Sequence, residues 1–387
     1  SCPGLTNAKG RPYFGRPFHF ECCREPDERR SVSDTIIHFP ARATGPARRW
    51  YARALDLVIA LGTLALLAAT LAPFLHLFWP RAAVIENFAL QILICAALLS
   101  ALALIRRRRW LIGTLGVLLI QAATIQHYWP HLADGRAFAA APMASPPGDL
   151  TRGLKVVSLN VWAGNTNYDE VQRYLLDTDA DVIGLVEVSP RWHGMMAALT
   201  ERYPYRVACQ QGRSCRQILL SRHPFARQGV IPIEDSLSFL SWGEIRLSAP
   251  DGEQPVTIAL THLTRPFREG PRDRAGLPDE VPNLTQAIEA QHLADHLRQL
   301  GPDLVLMGDF NAAPWTRIQQ RLRRDSGLDN AGAPALSWPA WAPAFLRLPI
   351  DHILSRGVLR VSGVNAGPDV GSDHRPVEAI LGAARQP

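Results

Sequence analysis

The second part of this chain lacks a net positive charge, which counts slightly against tight, sequence-independent DNA binding. Of its 41 Lys+Arg and 35 Asp+Glu, residues 1–148 hold 16 and 8, a balance of +8, and residues 149–387 hold 25 and 27, a balance of −2, which together give the chain's +6. Binding of that kind rests on many phosphate contacts. The basic excess sits instead beside apolar runs, where a membrane flank explains it. The six cysteines, Cys2, Cys22, Cys23, Cys95, Cys209 and Cys215, form no CxxC pair, which excludes a zinc-ribbon type of site. No GxGxxG follows the first expected strand and no Walker lysine motif occurs, so a glycine loop cradling a nucleotide is excluded. No internal repeat is present.

Charge is also absent from three long runs. Residues 57–79 (23 residues), 88–105 (18) and 110–129 (20) carry no Asp, Glu, Lys or Arg. A membrane helix needs about 20 largely apolar residues, and these runs show no polar face of the kind a buried soluble helix keeps. Arg42, Arg48, Arg49 and Arg53 precede the first run, and four arginines at 106–109 separate the second from the third. With three crossings both basic flanks lie on the cytoplasmic side, and the chain beyond the third span is extracytoplasmic. A disulfide between Cys209 and Cys215, which bracket QQGRS, suits that side; in the cytosol both would be free thiols. Residues 1–50 are polar and irregular, the first Met is Met143, and the segment reads as a fragment or an extension upstream of the natural start. The expected organisation is a poorly structured segment 1–50, a three-helix transmembrane region 51–129, an Ala/Pro/Gly-rich linker 130–153 and a domain 154–387.

Within that domain, apolar runs predict strands at 154–161, 181–188, 217–221, 244–248, 256–261, 303–307, 350–354 and 377–380. Helices are expected at 168–176, from Pro190 to about Arg202, at 284–300 with a stripe of Leu284, Ile288, Gln291, Leu293, Leu297 and Leu300, and at 316–324. Helices early and late around a strand-rich middle suggest a mixed α/β sandwich rather than a doubly wound sheet.

Polar residues recur where these strands end. Asn160 closes the first strand in SLNVW; alone it reads as a turn-forming Asn. Glu187 closes IGLVEVSP, where a charged end to an apolar strand is unusual, although a solvated exit residue reads equally well. His262 follows IALT, where a satisfied structural histidine is the plain alternative. LVLMGDFNAAPW is the most specific short motif: Gly308 gives a tight exit, Phe310 points away, and Asp309 and Asn311 can face one spot. In LPIDHIL, Asp351 sits among apolar neighbours and needs a partner; GSDHRPV supplies Asp373 and His374 after a turn. Asp351 can hold the His374 ring and keep it protonated. Acids and amides of this kind suit a hard cation such as magnesium.

These motifs, LNVW, the Glu of LVEV, LLSRHPF, THL, GDFNAAPW, IDHIL and SDHRPV, resemble those of the endonuclease/exonuclease/phosphatase superfamily over residues 154–381. The membrane helices ahead of the domain resemble bacterial membrane-anchored members. The resemblance implies a deoxyribonuclease-like, four-layered α/β sandwich and in-line attack of water on phosphorus without a covalent intermediate. It implies Mg2+, with Mn2+ as an alternative, at Asn160, Glu187 and Asp373. Asp309 would activate the water, Asn311 hold a phosphate oxygen, His262 contact phosphate or assist the leaving group, and His374, paired with Asp351, stabilise the transition state. Two positions depart from the pattern: Val186 stands where many members have Gln, and Gln217 where a small residue is common. The expected activity is phosphodiester hydrolysis, nuclease or related, at a bacterial inner membrane with the domain in the periplasm. A phospholipid or small-molecule phosphoester substrate stays open, and a non-catalytic module would require lost ligands, of which there are none. Arg265, Arg268, Arg272 and Arg274 share a loop with four acids and read as a solvated charged loop. Trp338, Trp341 and Phe345 suit a pocket wall, lipid contact or core packing alike.

Overall fold

In a computed structural model, residues 46–75, 80–133, 153–208, 215–234, 236, 238–249, 252–266, 282–329 and 334–383 are described. Two units are distinguished, Ser1–Tyr51 and Ala52–Pro387. Of the first, Pro46 to Tyr51 are helical; the apolar helices from Ala52 onward and the sandwich belong to the second. Most of the expected N-terminal segment and linker, and Cys209, fall outside the described residues, while Cys215 is disulfide-bonded.

The apolar runs form helices α1 (Pro46–Leu71), α2 (Ala89–Arg106), α3 (Leu111–Thr124) and α4 (Trp129–Ala133). Trp50–Leu75 and Arg81–Arg106, with mean hydropathy 2.2 and 2.6, are long and apolar enough to cross a bilayer. The third expected span is a bent pair, Arg108–Thr124 and Gln126–Leu132, at 65°, so it counts as a third crossing only if the pair acts as one. The break falls at Ile125, and Pro130 stands in the first turn of α4, where a missing N–H costs no helical bond.

The domain beyond the helices has strands β1 (Leu154–Asn160), β2 (Val182–Val186), β3 (Tyr205–Ala208), β4 (Gln217–Ser221), β5 (Arg227–Pro232), β6 (Phe239–Ala249), β7 (Gly252–His262), β8 (Leu304–Asp309), β9 (Asp351–Arg356), β10 (Leu359–Ala366) and β11 (Val377–Ala383). Its helices are α5 (Tyr168–Asp177), α6 (His193–Leu199), α7 (Pro282–Gln299) and α8 (Arg317–Ser326). One sheet runs β10-β11-β1-β2-β4-β3 and the other β5-β6-β7-β8-β9.

Side chains alternate across each strand, so the apolar runs must be buried on both faces. Val156, Val182 and Val186 of the first sheet meet Leu260, Val305 and Met307 of the second in one core. Val157, Ile183 and Leu185 face the other way, against Val171 and Leu175 of α5 and Met195 and Leu199 of α6. Leu304 and Leu306 pack against Leu293 and Leu297 of α7 and Leu322 of α8. The layers are therefore helix, sheet, sheet, helix: a mixed α/β sandwich, as expected. The sheets approach closely at Gly184, where a Cβ would stand 2.7 Å from Leu260 Cδ1 and Met307 Sδ.

Three strands that the apolar pattern does not predict, β3, β5 and β10, are all sheet edges. An edge strand pairs on one side only, and β3 and β5 bury little of their surface, so the apolar signal is weak. The expected stripe of α7 also needs correcting. Ile288 is exposed, whereas Gln286, Glu289, Ala290, Leu293, Ala294 and Leu297 are buried. α8 follows local chemistry: the Thr316 hydroxyl accepts from Gln319 N, and Gly327 ends the helix in the left-handed region.

Candidate active site

Strand register gathers the polar residues at one end of the sandwich. β7 and β8 are parallel with His262 opposite Asp309, and β9 runs antiparallel with Asp351 opposite Asp309. His262, Asp309 and Asp351 therefore form a row across three strands. In the other sheet β1 and β2 are parallel, with Asn160 opposite Val186 and Glu187 next in the chain. The loop before β11 carries Asp373 and His374 to the same place.

Asp309 Oδ2 is the hub. Asn160 Nδ2 donates to it at 3.0 Å, His262 Nε2 lies 3.6 Å away and His374 Nε2 3.7 Å away. Its other oxygen accepts the Asn311 amide at 2.9 Å, and the residue is fully buried. Gly308 makes this exit possible at φ +144°, since a Cβ there would stand 1.8 Å from Thr261 O. Asn311, at φ +49°, donates Nδ2 to Leu263 O at 2.9 Å, which ties the loop to the end of β7. Phe310 points into the helix-side core, as its place between them requires.

Behind the hub lies a buried relay. His374 Nδ1 donates to Asp351 Oδ2 at 2.8 Å, and Ser337 Oγ donates to the same oxygen at 2.6 Å. Burial alone would pull the His374 ring down, but the charges of Asp351 and Asp309 push it up to about 9. Asp309, Asp351 and His374 each bring one side-chain atom within 4.8 Å of the others, a spacing a metal could also use. His374 hydrogen-bonds Asp351 through Nδ1 and stands 3.7 Å from Asp309 Oδ2 through Nε2, an arrangement that also suits a carboxylate–imidazole pair.

In front of the hub lies a mouth whose side chains Glu187, His262 and Arg265 are partly exposed. Glu187, at φ +60°, is held in a backbone region costly for a side chain bearing a Cβ. Its Oε1 accepts from Asn160 Nδ2 at 3.2 Å and Arg265 Nη2 at 2.8 Å, its Oε2 from Ala163 N at 3.2 Å, and His262 Nε2 stands 4.0 Å off. Burial pushes the Glu187 carboxyl up, yet His262, Ala163, Asn160 and Arg265 together hold it below the usual range. Burial pushes Asp373 up, and the nearby Glu187 charge adds to this. Asp373 Oδ2 accepts from Trp338 Nε1 at 3.4 Å, while its Oδ1 is buried with no partner among the described residues. An orphaned carboxylate oxygen beside a second carboxylate, already drawing a guanidinium, fits a hard divalent cation held by oxygen donors.

All eight expected residues, Asn160, Glu187, His262, Asp309, Asn311, Asp351, Asp373 and His374, converge here. Sequence reasoning misses others. Arg265 pairs with Glu187 while its side chain stays 55% exposed, a partner that the solvated-loop reading does not foresee; Arg268, Arg272 and Arg274 lie outside the described residues. Gln286 Nε2 donates to Phe310 O at 3.0 Å and Asn311 O at 3.3 Å, bracing the loop from α7. Glu289 accepts from Thr264 N at 2.8 Å and Ser238 Oγ at 3.2 Å, bracing the exit of β7. Ser372 Oγ donates to Asn160 O at 2.7 Å. Gln217 is buried, and its Nε2 donates to Ser241 Oγ at 2.8 Å, so a large polar residue is accommodated there.

Residues 157–374, more than half of the chain, match the family model described as endonuclease/exonuclease/phosphatase family, and the chain belongs to that family. Solved structures similar to it include an endonuclease/exonuclease/phosphatase from Bacteroides vulgatus (16% identity, 60% of this chain and 99% of that one, TM-score 0.49). A mannosyl-6-phosphatase from Bacteroides thetaiotaomicron is 17% identical over 59% of this chain and 99% of its own, with TM-score 0.47. A double mutant of beta toxin from Staphylococcus aureus with bound magnesium ions is 14% identical over 59% and 99%, with TM-score 0.46. A search of curated proteins finds no match.

Proposed function

We propose that the protein is a membrane-anchored, divalent-metal-dependent phosphoesterase that hydrolyses phosphodiester bonds by in-line attack of water. The observation that carries this reading is the hub: one buried carboxylate oxygen, Asp309 Oδ2, has an amide and two imidazoles within 3.7 Å. Asn160, Glu187 and Asp373 would hold Mg2+ or Mn2+. Bound there, the ion supplies charge for the phosphate oxygens and a lowered pKa for water. Asp309 orients the attacking water and takes its proton. His374, fixed through Asp351 and Ser337, presents an N–H to a phosphoryl oxygen as charge builds. His262, at the mouth between Glu187 and Asp309, contacts the phosphate or assists the leaving group. Asn311, held by Leu263 O, keeps its amide at the same end to meet a phosphate oxygen.

The anchoring is part of the same proposal: α1, α2 and the bent pair cross a bacterial inner membrane with the domain in the periplasm. Two ends of the helical region support it. The Arg107 guanidinium pairs with Asp56 at 2.5 Å at one end. At the other, Arg317 pairs with Glu86 at 2.5 Å and donates to Pro73 O, so the domain stands away from the arginine cluster. A periplasm-active reporter fused after Pro387 is expected to be active; silence reverses the orientation. For the chemistry, the full chain in detergent is expected to hydrolyse a soluble bis-aryl phosphodiester with Mg2+, and metal-independent turnover defeats the mechanism.

A further inference from the structure

Two segments that border the catalytic centre rest on the apolar helices. Ala313, four residues past Asp309, donates its N–H to Asn87 Oδ1 at 2.6 Å. Trp315 Nε1 donates to Glu86 O at 2.8 Å, and Tyr128 Oη donates to Pro314 O at 3.2 Å. Leu90, Leu93, Ile125 and Tyr128 share one buried cluster with Ala313, Trp315 and Leu336. Four extended residues span at most about 14 Å, so the Asp309 backbone lies within that distance of the Asn87 contact.

A second segment, residues 338–347, runs from the centre to the helices. It starts with Trp338 Nε1 on Asp373 Oδ2 and with Ala340 N donating to Asp373 O at 2.7 Å. It ends on α2, where Gln91 Nε2 donates to Phe345 O at 3.3 Å and to Arg347 O at 3.1 Å. Gln91 stands three residues inside the charge-free run 88–105, about 4–5 Å along the helix axis. If α2 spans a bilayer, the Phe345 backbone lies where headgroups give way to acyl chains.

What this segment exposes is apolar: Trp341 at 80%, Phe345 at 50% and Leu346 at 50%. Phe74 and Trp129, after α1 and at the start of α4, are exposed at the same end of the helical region. Aromatic residues at that level are the usual occupants of a membrane–water interface. Arg347 Nε donates to Ala342 O at 2.7 Å and Arg375 Nη2 to Ala340 O at 3.4 Å, which sets two cations beside the apolar tip. Cations there suit the phosphates of a bilayer surface.

We propose that residues 338–347 are a wedge seated in the bilayer surface beside α2, and that the catalytic centre takes a phosphodiester carried by a lipid of that bilayer. The inference rests on the phosphoesterase reading above. In the reaction the water oxygen joins phosphorus, the bond from phosphorus to the leaving alcohol breaks, and the proton lost by water ends on the leaving oxygen. The products are a phosphomonoester and an alcohol, one of which stays in the membrane.

The test uses the full chain in phosphatidylcholine vesicles with Mg2+. Hexadecyl nitrophenyl phosphate, lodged in the vesicles, is compared with soluble methyl nitrophenyl phosphate, which has the same leaving group. The lipid-borne diester is expected to be cleaved about ten-fold faster or more at equal bulk concentration. Trp341→Ser, Phe345→Ser and Leu346→Ser together are expected to lower the ratio of the two rates by a similar factor. Cleavage of the methyl diester with the hexadecyl diester left intact, or a ratio unmoved by the triple change, overturns the inference and leaves the phosphoesterase reading standing. Cleavage of neither defeats both. Seating of the wedge has a readout of its own: brominated phosphatidylcholine is expected to quench the native protein's tryptophan fluorescence more than that of Trp341→Phe, and equal quenching overturns it.

Discussion

The back and the front of the candidate active site differ in how complete they are. Behind Asp309, the His374, Asp351 and Ser337 side chains bond one another at 2.6 and 2.8 Å, and Asp351 and His374 are only 2% exposed. In front, Asp373 Oδ1 has no partner among the described residues, and Glu187 draws an arginine from a largely exposed position. A buried relay that satisfies itself can hold its geometry with nothing bound. A mouth with a surplus of carboxylate suits the cation proposed for it. The difference separates what protein packing supplies from what the solvent supplies.

The largest effect should come from the residue common to both regions. Asp309→Ala is expected to lower diester hydrolysis by about a thousand-fold or more, because it removes the proton acceptor and the partner of both histidines. Within the back, His374→Ala and Asp351→Ala are each expected to cost about a hundred-fold or more, and the double variant little beyond the worse single one, since the two act as one unit. Fully additive losses in that cycle break the comparison. In the front, Arg265 pairs with Glu187, where the proposed cation would bind. Arg265→Ala is expected to tighten Mg2+ binding several-fold, read by calorimetry, through loss of the competing charge; weaker binding would mean that Arg265 props the mouth open.

The smallest expected effect concerns His352, which lies next to the relay but outside it. Its ring donates Nε2–H to Ala312 O at 2.8 Å, and burial pulls its pKa down to about 4. The unfolded chain takes up a proton near the ordinary value while the folded protein does not. Stability is therefore intact above about pH 6.5 and falls as pH drops toward 4, by about 2 kcal/mol near pH 5. His352→Gln is expected to flatten that part of the profile in thermal unfolding between about pH 7 and pH 5. An unchanged slope would show that another group governs the acid limb.

The same contrast explains what can be read from sequence. Val182 to Val186 pack on both faces, so every residue reports burial, and the central strands stand out. Asn160, Glu187 and Asp309 end such runs and are conspicuous against them. β3, β5 and β10 are edges, and their sequences carry no comparable run. Gln286 and Glu289 are polar residues on the buried side of α7, where a periodicity argument expects apolar ones and so turns the helix onto Ile288. Their purpose, bracing Phe310 O and Thr264, exists only once residues 24 and 25 positions apart meet. Arg265 looks like one charge among many because its partner lies 78 residues away. The bend of the third apolar run falls inside a charge-free stretch and leaves no mark in the charge pattern.

The claim that the mouth is a cation site feeding the Asp309 hub is tested most directly by titrating Mg2+ into the full chain while following hydrolysis of a soluble bis-aryl phosphodiester, beside Glu187→Gln. Saturable Mg2+ dependence abolished by chelator is expected, with the half-saturating concentration raised at least about ten-fold in Glu187→Gln. Turnover that survives chelation, or a Glu187→Gln titration that overlays the native one, would contradict it.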